Sequence, residues 1–226
     1  MAMSLAKSYE FFQPEMAKGK IHIIGCGAGG STIAELLVRF GLTNIVLYDF
    51  DIVEPNNIVN QLYTQEDLYK EKVDALLDHL KRINPDLENT VTIRRKGWKS
   101  GDKLDGYVFL CVDNIDLRRQ IVTENKYNPK ISGMFDSRMR LIDGQSYAAD
   151  WKNSEDVEQL LDSMQFTHEE AKADTPVSAC NITLSVAPTV RILSALTVEN
   201  FVNWLKGDGL KKAIFFNLEG FVFDAF

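Results

Sequence analysis

Apolar positions change period along the chain, and each change marks an element. Ile21, Ile23 and Ile24 form a short β-branched run that predicts a buried strand. Glycines 25, 27, 29 and 30 end it. Ser31 then opens a predicted helix whose apolar face is Ile33, Leu36, Leu37 and Phe40, at i, i+3, i+4 and i+7, closed by Gly41. A second strand is predicted over Ile45–Tyr48, and a helix from Glu66 to Ile83, with Val73, Leu76, Leu77 and Leu80 on one face and Asn84-Pro85 as its stop. Further strands are predicted at Val91–Arg94 and Tyr107–Val112. The latter is an unbroken apolar run of the kind buried on both faces of a parallel sheet.

The pattern then changes character. Asp143-Gly144 lies between the alternating runs Ile131–Phe135 and Gln145–Ala149, which signals a hairpin. A helix is predicted over Ser154–Met164, with Val157, Leu160, Leu161 and Met164 inward. Thr167–Pro176 is polar and lacks apolar periodicity, so it reads as a mobile loop. A long helix is expected from Asn181 to Lys206, kinked or broken at Pro188, with Cys180 at its N-terminus. The end reads as a hairpin of Ala213–Leu218 and Phe221–Phe223 about Glu219-Gly220. These elements predict an α/β, three-layer Rossmann-like fold with a mixed sheet, parallel in its N-terminal half and antiparallel in its C-terminal half. One domain over residues 1–226 is expected, with a nucleotide-binding half at 20–125 and a mixed-sheet half at 130–226.

Candidate chemistry concentrates after the first strand. Gly25, Gly27 and Gly30 have the spacing G-x-G-x-x-G, and Asp49 follows the second strand, 19 residues after Gly30. This is the βαβ pattern of a nucleotide site. Phosphate must approach backbone N–H groups at a helix N-terminus, and side chains at Gly25 or Gly27 would block it. The Asp49 carboxylate is expected to accept hydrogen bonds from a ribose hydroxyl.

Composition narrows the partners. With 226 residues and 45% hydrophobic content the chain can bury a full core. A net charge of −7 argues against nucleic acid or an anionic membrane surface. No stretch of 18 apolar residues and no signal-peptide core occurs, so a soluble, cytoplasmic protein is expected. Cys26, Cys111 and Cys180 lie far apart with no C-x-x-C pair, so neither a zinc site nor a disulfide framework is expected.

After Asp49 comes a polar loop with Asp51, Glu54, Asn57, Asn60 and Gln61, followed by Lys72, Asn84-Pro85, Asp113-Asn114 with Arg118, and Ala179-Cys180. Together these resemble the ThiF/MoeB family, ATP-dependent activators of ubiquitin-like and sulfur-carrier proteins related to ubiquitin-activating enzymes. The resemblance implies ATP and Mg²⁺ as cofactors, a small carrier protein as partner, and a homodimer. It implies that Gly25, Gly27, Gly30, Asp49, Asp51, Asn57, Gln61 and Lys72 bind the nucleotide, that Lys72 serves the phosphates during catalysis, and that Asp113 holds Mg²⁺ beside them. Read from the residues alone, Asp113 is equally an N-cap for the helix beginning at Asn114. Cys180 is either a sulfur- or acyl-transfer thiol, activated at a helix N-terminus, or a small buried hydrophobe. Arg118 is expected in a structural ion pair, and His22, His79 and His168 in structural roles.

The chain departs from the family pattern in three places. It lacks the zinc-binding cysteine pairs of many members, and no arginine occurs in Met1–Gly19, where members often carry an arm reaching a neighbouring subunit. Asn60 stands where the family reads arginine in N-x-x-R-Q; either Arg138, Arg140 or an arginine of a second subunit supplies that charge, or the chain binds a nucleotide without efficient adenylation. Two other readings share the opening βαβ unit: a catalytically silent nucleotide-binding scaffold, and an NAD- or FAD-dependent oxidoreductase.

Overall fold

Five parallel strands followed by three antiparallel ones form a mixed eight-stranded sheet in this computed structural model, which describes residues 3–226. The parallel strands are β1 (Ile21–Ile24), β2 (Ile45–Tyr48), β3 (Thr92–Arg94), β4 (Gly106–Leu110) and β5 (Ile131–Met139). β6 (Asp143–Asp150), β7 (Ala213–Asn217) and β8 (Val222–Ala225) are antiparallel. The spatial order is β3-β2-β1-β4-β5-β6-β7-β8. The helices are α1 (Ala28–Arg39), α2 (Lys72–Ile83), α3 (Ile115–Asn125), α4 (Ser154–Asp162), α5 (His168–Ala173) and α6 (Ala187–Lys206).

The strands β1, β2 and β4 are almost wholly apolar, His22 apart, because both faces are covered. Ile21, Ile23, Ile45, Leu47, Tyr107 and Phe109 face α1, α2 and α6, while Ile24, Val46, Tyr48, Val108 and Leu110 face α3 and α4. Phe201 of α6 is fully buried, with its ring centroid 5.0 Å from Tyr107 and 5.3 Å from both Phe109 and Phe135. Near the N-terminus Phe12 is buried edge-on against Phe40, while Phe11 remains half exposed.

Several expected boundaries move, each for a local reason. α1 starts at Ala28, not Ser31, because the Ser31 N–H already bonds the Gly27 carbonyl at 3.0 Å. α2 starts at Lys72, not Glu66. Residues 65–67 form a separate 3-10 turn closed by a Thr64–Asp67 capping box, and Tyr69 at φ 68° breaks the path between them. β4 stops at Leu110, so Asp113 lies on a loop. The β5–β6 turn is at 140–142, and Asp143-Gly144 lies inside β6, where a Cβ at Gly144 would sit 2.5 Å from the Phe216 ring. That glycine makes room for an aromatic ring rather than a turn. The polar segment Thr167–Pro176 contains α5, held by a Thr167–Glu170 capping box. α6 starts at Ala187, and Pro188 fits its first turn without a kink, where the missing N–H would have no partner. Among the described residues, no helix is long and apolar enough to cross a membrane.

Replacing Phe201 by alanine removes the ring common to three aromatic contacts and should cost about 3–5 kcal/mol, read as a lower urea midpoint at unchanged slope. A loss under about 1 kcal/mol would show that α6 does not anchor this face.

Candidate functional site at the C-terminal edge of the parallel strands

The loops after β1, β2 and β4 emerge side by side at the C-terminal edge of the parallel strands, where ligands bind in open α/β sheets. The three glycines contribute differently there. At Gly25 (φ +96°) a Cβ would lie 2.7 Å from the Cys111 carbonyl carbon, and at Gly30 it would lie 1.8 Å from the Gly25 carbonyl oxygen. Both are required by backbone packing, whether or not a ligand binds. Packing alone therefore accounts for a glycine at position 25. A Cβ at Gly27 would meet nothing within 4 Å, so the space above α1's first turn is open.

Asp49 joins the first two loops. Its Oδ2 accepts the Cys26 N–H at 2.6 Å, and its Oδ1 accepts the Asp51 N–H at 2.9 Å. The carboxyl is 8% exposed, and burial raises its pKa above the ordinary value despite these two donors. Asp49 thus holds the loops together through two backbone N–H groups, and any ribose contact would use its remaining lone pairs.

Lys72, the first residue of α2, is buried at 7% exposure. Its Nζ donates to Asp51 Oδ2 at 3.0 Å and its N–H to the Asp51 carbonyl at 2.9 Å. Tyr63, which the sequence gives no signal for, completes the frame. Its buried hydroxyl is 2.6 Å from the Cys26 carbonyl and 3.2 Å from the Lys72 carbonyl. Burial pushes its pKa well up, so it remains a neutral donor. Gln61 Oε1 is buried with no hydrogen-bond partner, an acceptor that invites a donor from a ligand. The Leu62 N–H bonds Ser31 Oγ at 3.4 Å, which ties this loop to α1. Asn57 is committed locally: its Oδ1 accepts the Glu54 N–H at 3.0 Å in the capping box of its own 3-10 turn.

Asp113 is exposed and makes no ion pair with a described residue. The N-cap of α3 is Asn114, whose Oδ1 accepts the Leu117 N–H at 3.0 Å, so the capping alternative for Asp113 falls away. The loop carrying Asp113 is fixed from below by Arg118, which donates to the Val112 carbonyl at 2.7 Å, the Leu110 carbonyl at 3.1 Å and the Ser137 carbonyl at 2.8 Å, and pairs with fully buried Asp136. The expected structural ion pair of Arg118 is therefore present.

The three cysteines separate clearly. Burial pushes the Cys26 thiol far up and the Cys111 thiol to about 12, which leaves both protonated and unreactive. Cys180 is exposed on a tight turn closed by Ser178 N–H to the Ile182 carbonyl at 2.8 Å. It lies seven residues before α6, so the expected helix-terminus activation is absent, as is the buried alternative. His22 is structural as expected, its ring nitrogens 3.0 Å from Tyr48 Oη and from Asp105 Oδ1.

Of the two arginines expected to replace the missing charge at Asn60, Arg138 is committed to other partners and Arg140 is not. Arg138 donates to Asp136 Oδ2 at 2.6 Å and to the Ser163 carbonyl at 2.7 Å, with its guanidinium 4.4 Å from the centre of the Tyr147 ring. Arg140 is half exposed beside Asp174, 3.5 Å away.

A model described as the ThiF family matches residues 2–224. The ubiquitin-like modifier-activating enzyme 5 of Drosophila mojavensis is 31% identical over 151 residues, covering 58% of this chain and 37% of that protein. The enzyme of the same name from Caenorhabditis elegans is 30% identical over 134 residues, covering 53% and 31%. The chain therefore spans about a third of the length of these curated relatives. Among solved structures, E. coli MccB with ATP superposes with a TM-score of 0.68 at 15% identity, covering 95% of this chain and 65% of that one. PaaA gives 0.67 at 20%, covering 94% and 65%. At these identities the likeness is one of fold.

The glycines provide a test of the site's construction. Gly30→Ala should lower the melting temperature by several degrees, because its Cβ meets backbone, whereas Gly27→Ala should leave it within about 2 °C of wild type. Equal losses in thermal melts would mean that the space over Gly27 is not open.

Proposed function

The chain belongs to the ThiF family, and on that premise we propose that it binds ATP with Mg²⁺ over Gly27 and activates the C-terminal carboxylate of a small ubiquitin-like or sulfur-carrier protein as an acyl-adenylate. The observation that carries the reading is the open face of Gly27 beside a buried lysine whose carboxylate partner among the described residues, Asp51, is itself half exposed. A site of this kind can pass its cation from Asp51 to an incoming phosphate without unburying the ammonium. The orphaned Gln61 Oε1 supports it, as an acceptor for a ligand donor. Relatives named as modifier-activating enzymes and the MccB structures solved with ATP and with MccA support the chemical class.

In this reading a carboxylate oxygen of the carrier attacks the α-phosphorus of ATP. An acyl–O–P bond forms, the α–β phosphoanhydride breaks, and pyrophosphate leaves. The substrate is already an anion, so no general base is needed. The α1 N-terminus and the loop amides hold the phosphates, and Lys72 follows the charge that accumulates on the leaving pyrophosphate. The exposed Asp113 carboxylate, free of ion pairs among the described residues, fits a Mg²⁺ ion, which would add charge neutralisation at the phosphates. Asp49 and Tyr63 act on geometry, by fixing the glycine loop against the Lys72 segment. The homodimer and the cytoplasmic setting belong to the same proposal.

ATP–pyrophosphate exchange should appear only with a carrier ending in Gly-Gly, fall by about 10²- to 10³-fold in Lys72→Ala, and vanish in Asp113→Ala. NADH binding without ATP binding would overturn the reading. ATP binding with no exchange for any carrier would favour the silent scaffold.

A further inference from the structure

Arg191 lies in the first turns of α6, which packs along α1. Its Nη1 donates to Thr32 Oγ1, and the Thr32 hydroxyl in turn donates to the Ala28 carbonyl at 3.0 Å. Ala28 is the first residue of α1, immediately after Gly27. The guanidinium is thus tied, through two consecutive hydrogen bonds, to the residue that borders the open space. The neighbouring hydroxyl of Ser31 reaches the same Ala28 carbonyl at 3.3 Å and accepts the Leu62 N–H, so the turn Arg191 touches is also joined to the Asn60-Gln61 loop.

Among the described residues Arg191 has no carboxylate partner. Arg118 and Arg138, by contrast, both pair with Asp136. A part-buried guanidinium held at one nitrogen, with its remaining donors uncommitted to an acid, is suited to an anion.

We propose that Arg191 is the cation that substitutes for the arginine absent at Asn60, and that its uncommitted donors contact the β- or γ-phosphate of the bound nucleotide. Within the reading of the site as an ATP site, on which this rests, the charge has moved from the loop after β2 to α6. The substitution works because α6 crosses the same α1 turn that the loop does. It also confines the effect to the phosphates that leave, so the contact distinguishes a triphosphate from a monophosphate.

A structural staple between α6 and α1 would use the same Thr32 contact, and the test must separate the two. Arg191→Gln retains a neutral donor for Thr32, and Arg191→Lys retains the charge. Dissociation constants for Mg-ATP and for AMP, measured by calorimetry on the whole chain, should show ATP weakened about 10- to 100-fold in Arg191→Gln. AMP should change by less than about twofold, the melting temperature should hold, and Arg191→Lys should recover part of the ATP affinity. An ATP-to-AMP ratio in Arg191→Gln equal to that of wild type would overturn the role of Arg191 while leaving the ATP site standing. Failure of wild type to bind either nucleotide would remove both.

Discussion

A buried carboxylate with a backbone donor on each oxygen determines the shape of this site. Asp49 takes an N–H from Cys26 in the glycine loop and another from Asp51 in the loop after β2. Without it, the buried Cys26 N–H would lack a partner and the loop at Asp51 would lose its tie to the glycine loop. Because Asp51 is one of these anchors, the position of the Lys72 ammonium follows from the same carboxylate. Tyr63 closes the frame from the other side by bridging the carbonyls of Cys26 and Lys72. Residues far apart in sequence are held within a few bonds of one another before any ligand enters, which is the preorganisation a phosphate-transfer site requires.

A second polar unit supports the neighbouring loop. Arg118, Asp136 and Arg138 form a buried group beneath residues 111–114, with Asp136 fully enclosed. Burying such a group adds little net stability over an apolar replacement. Its effect is geometric: the Arg118 guanidinium gathers three carbonyls from β4's end and β5, and so fixes where the loop bearing Asp113 leaves the sheet. The same group holds Arg138 against Asp136 and Ser163, whereas Arg191 on α6 is bonded to Thr32 of α1.

Much of this was legible in the sequence because it rests on short-range pattern. The β1–α1–β2 unit, the unbroken apolar β4 and the terminal hairpin follow from period and from glycine or proline punctuation, and the sheet is mixed as expected. Errors came where tertiary packing gives a residue another purpose. Gly144 accommodates Phe216 rather than a turn, Pro188 starts a helix rather than bending one, and Cys180 lies on an isolated turn rather than a helix end. Tyr63, the Asp136 partner of two arginines, and Arg191 had no local signal. The Tyr63–Lys72, Arg118–Asp136 and Arg191–Thr32 contacts span 9, 18 and 159 positions of sequence, separations that only the folded chain closes.

The central claim is that Asp49 is a buried structural carboxylate whose charge is shared by the Cys26 and Asp51 amides. Its folded pKa lies above that of the unfolded chain, so its ionisation takes away stability as pH rises from about 4 through the folded value. Carboxyl ¹³C titration followed together with the Cys26 amide resonance tests this most directly. An Asp49 midpoint above about 3.9 is expected, with the Cys26 amide shifting at that same midpoint. A midpoint at or below that value, or a Cys26 amide that does not move with it, would contradict the account.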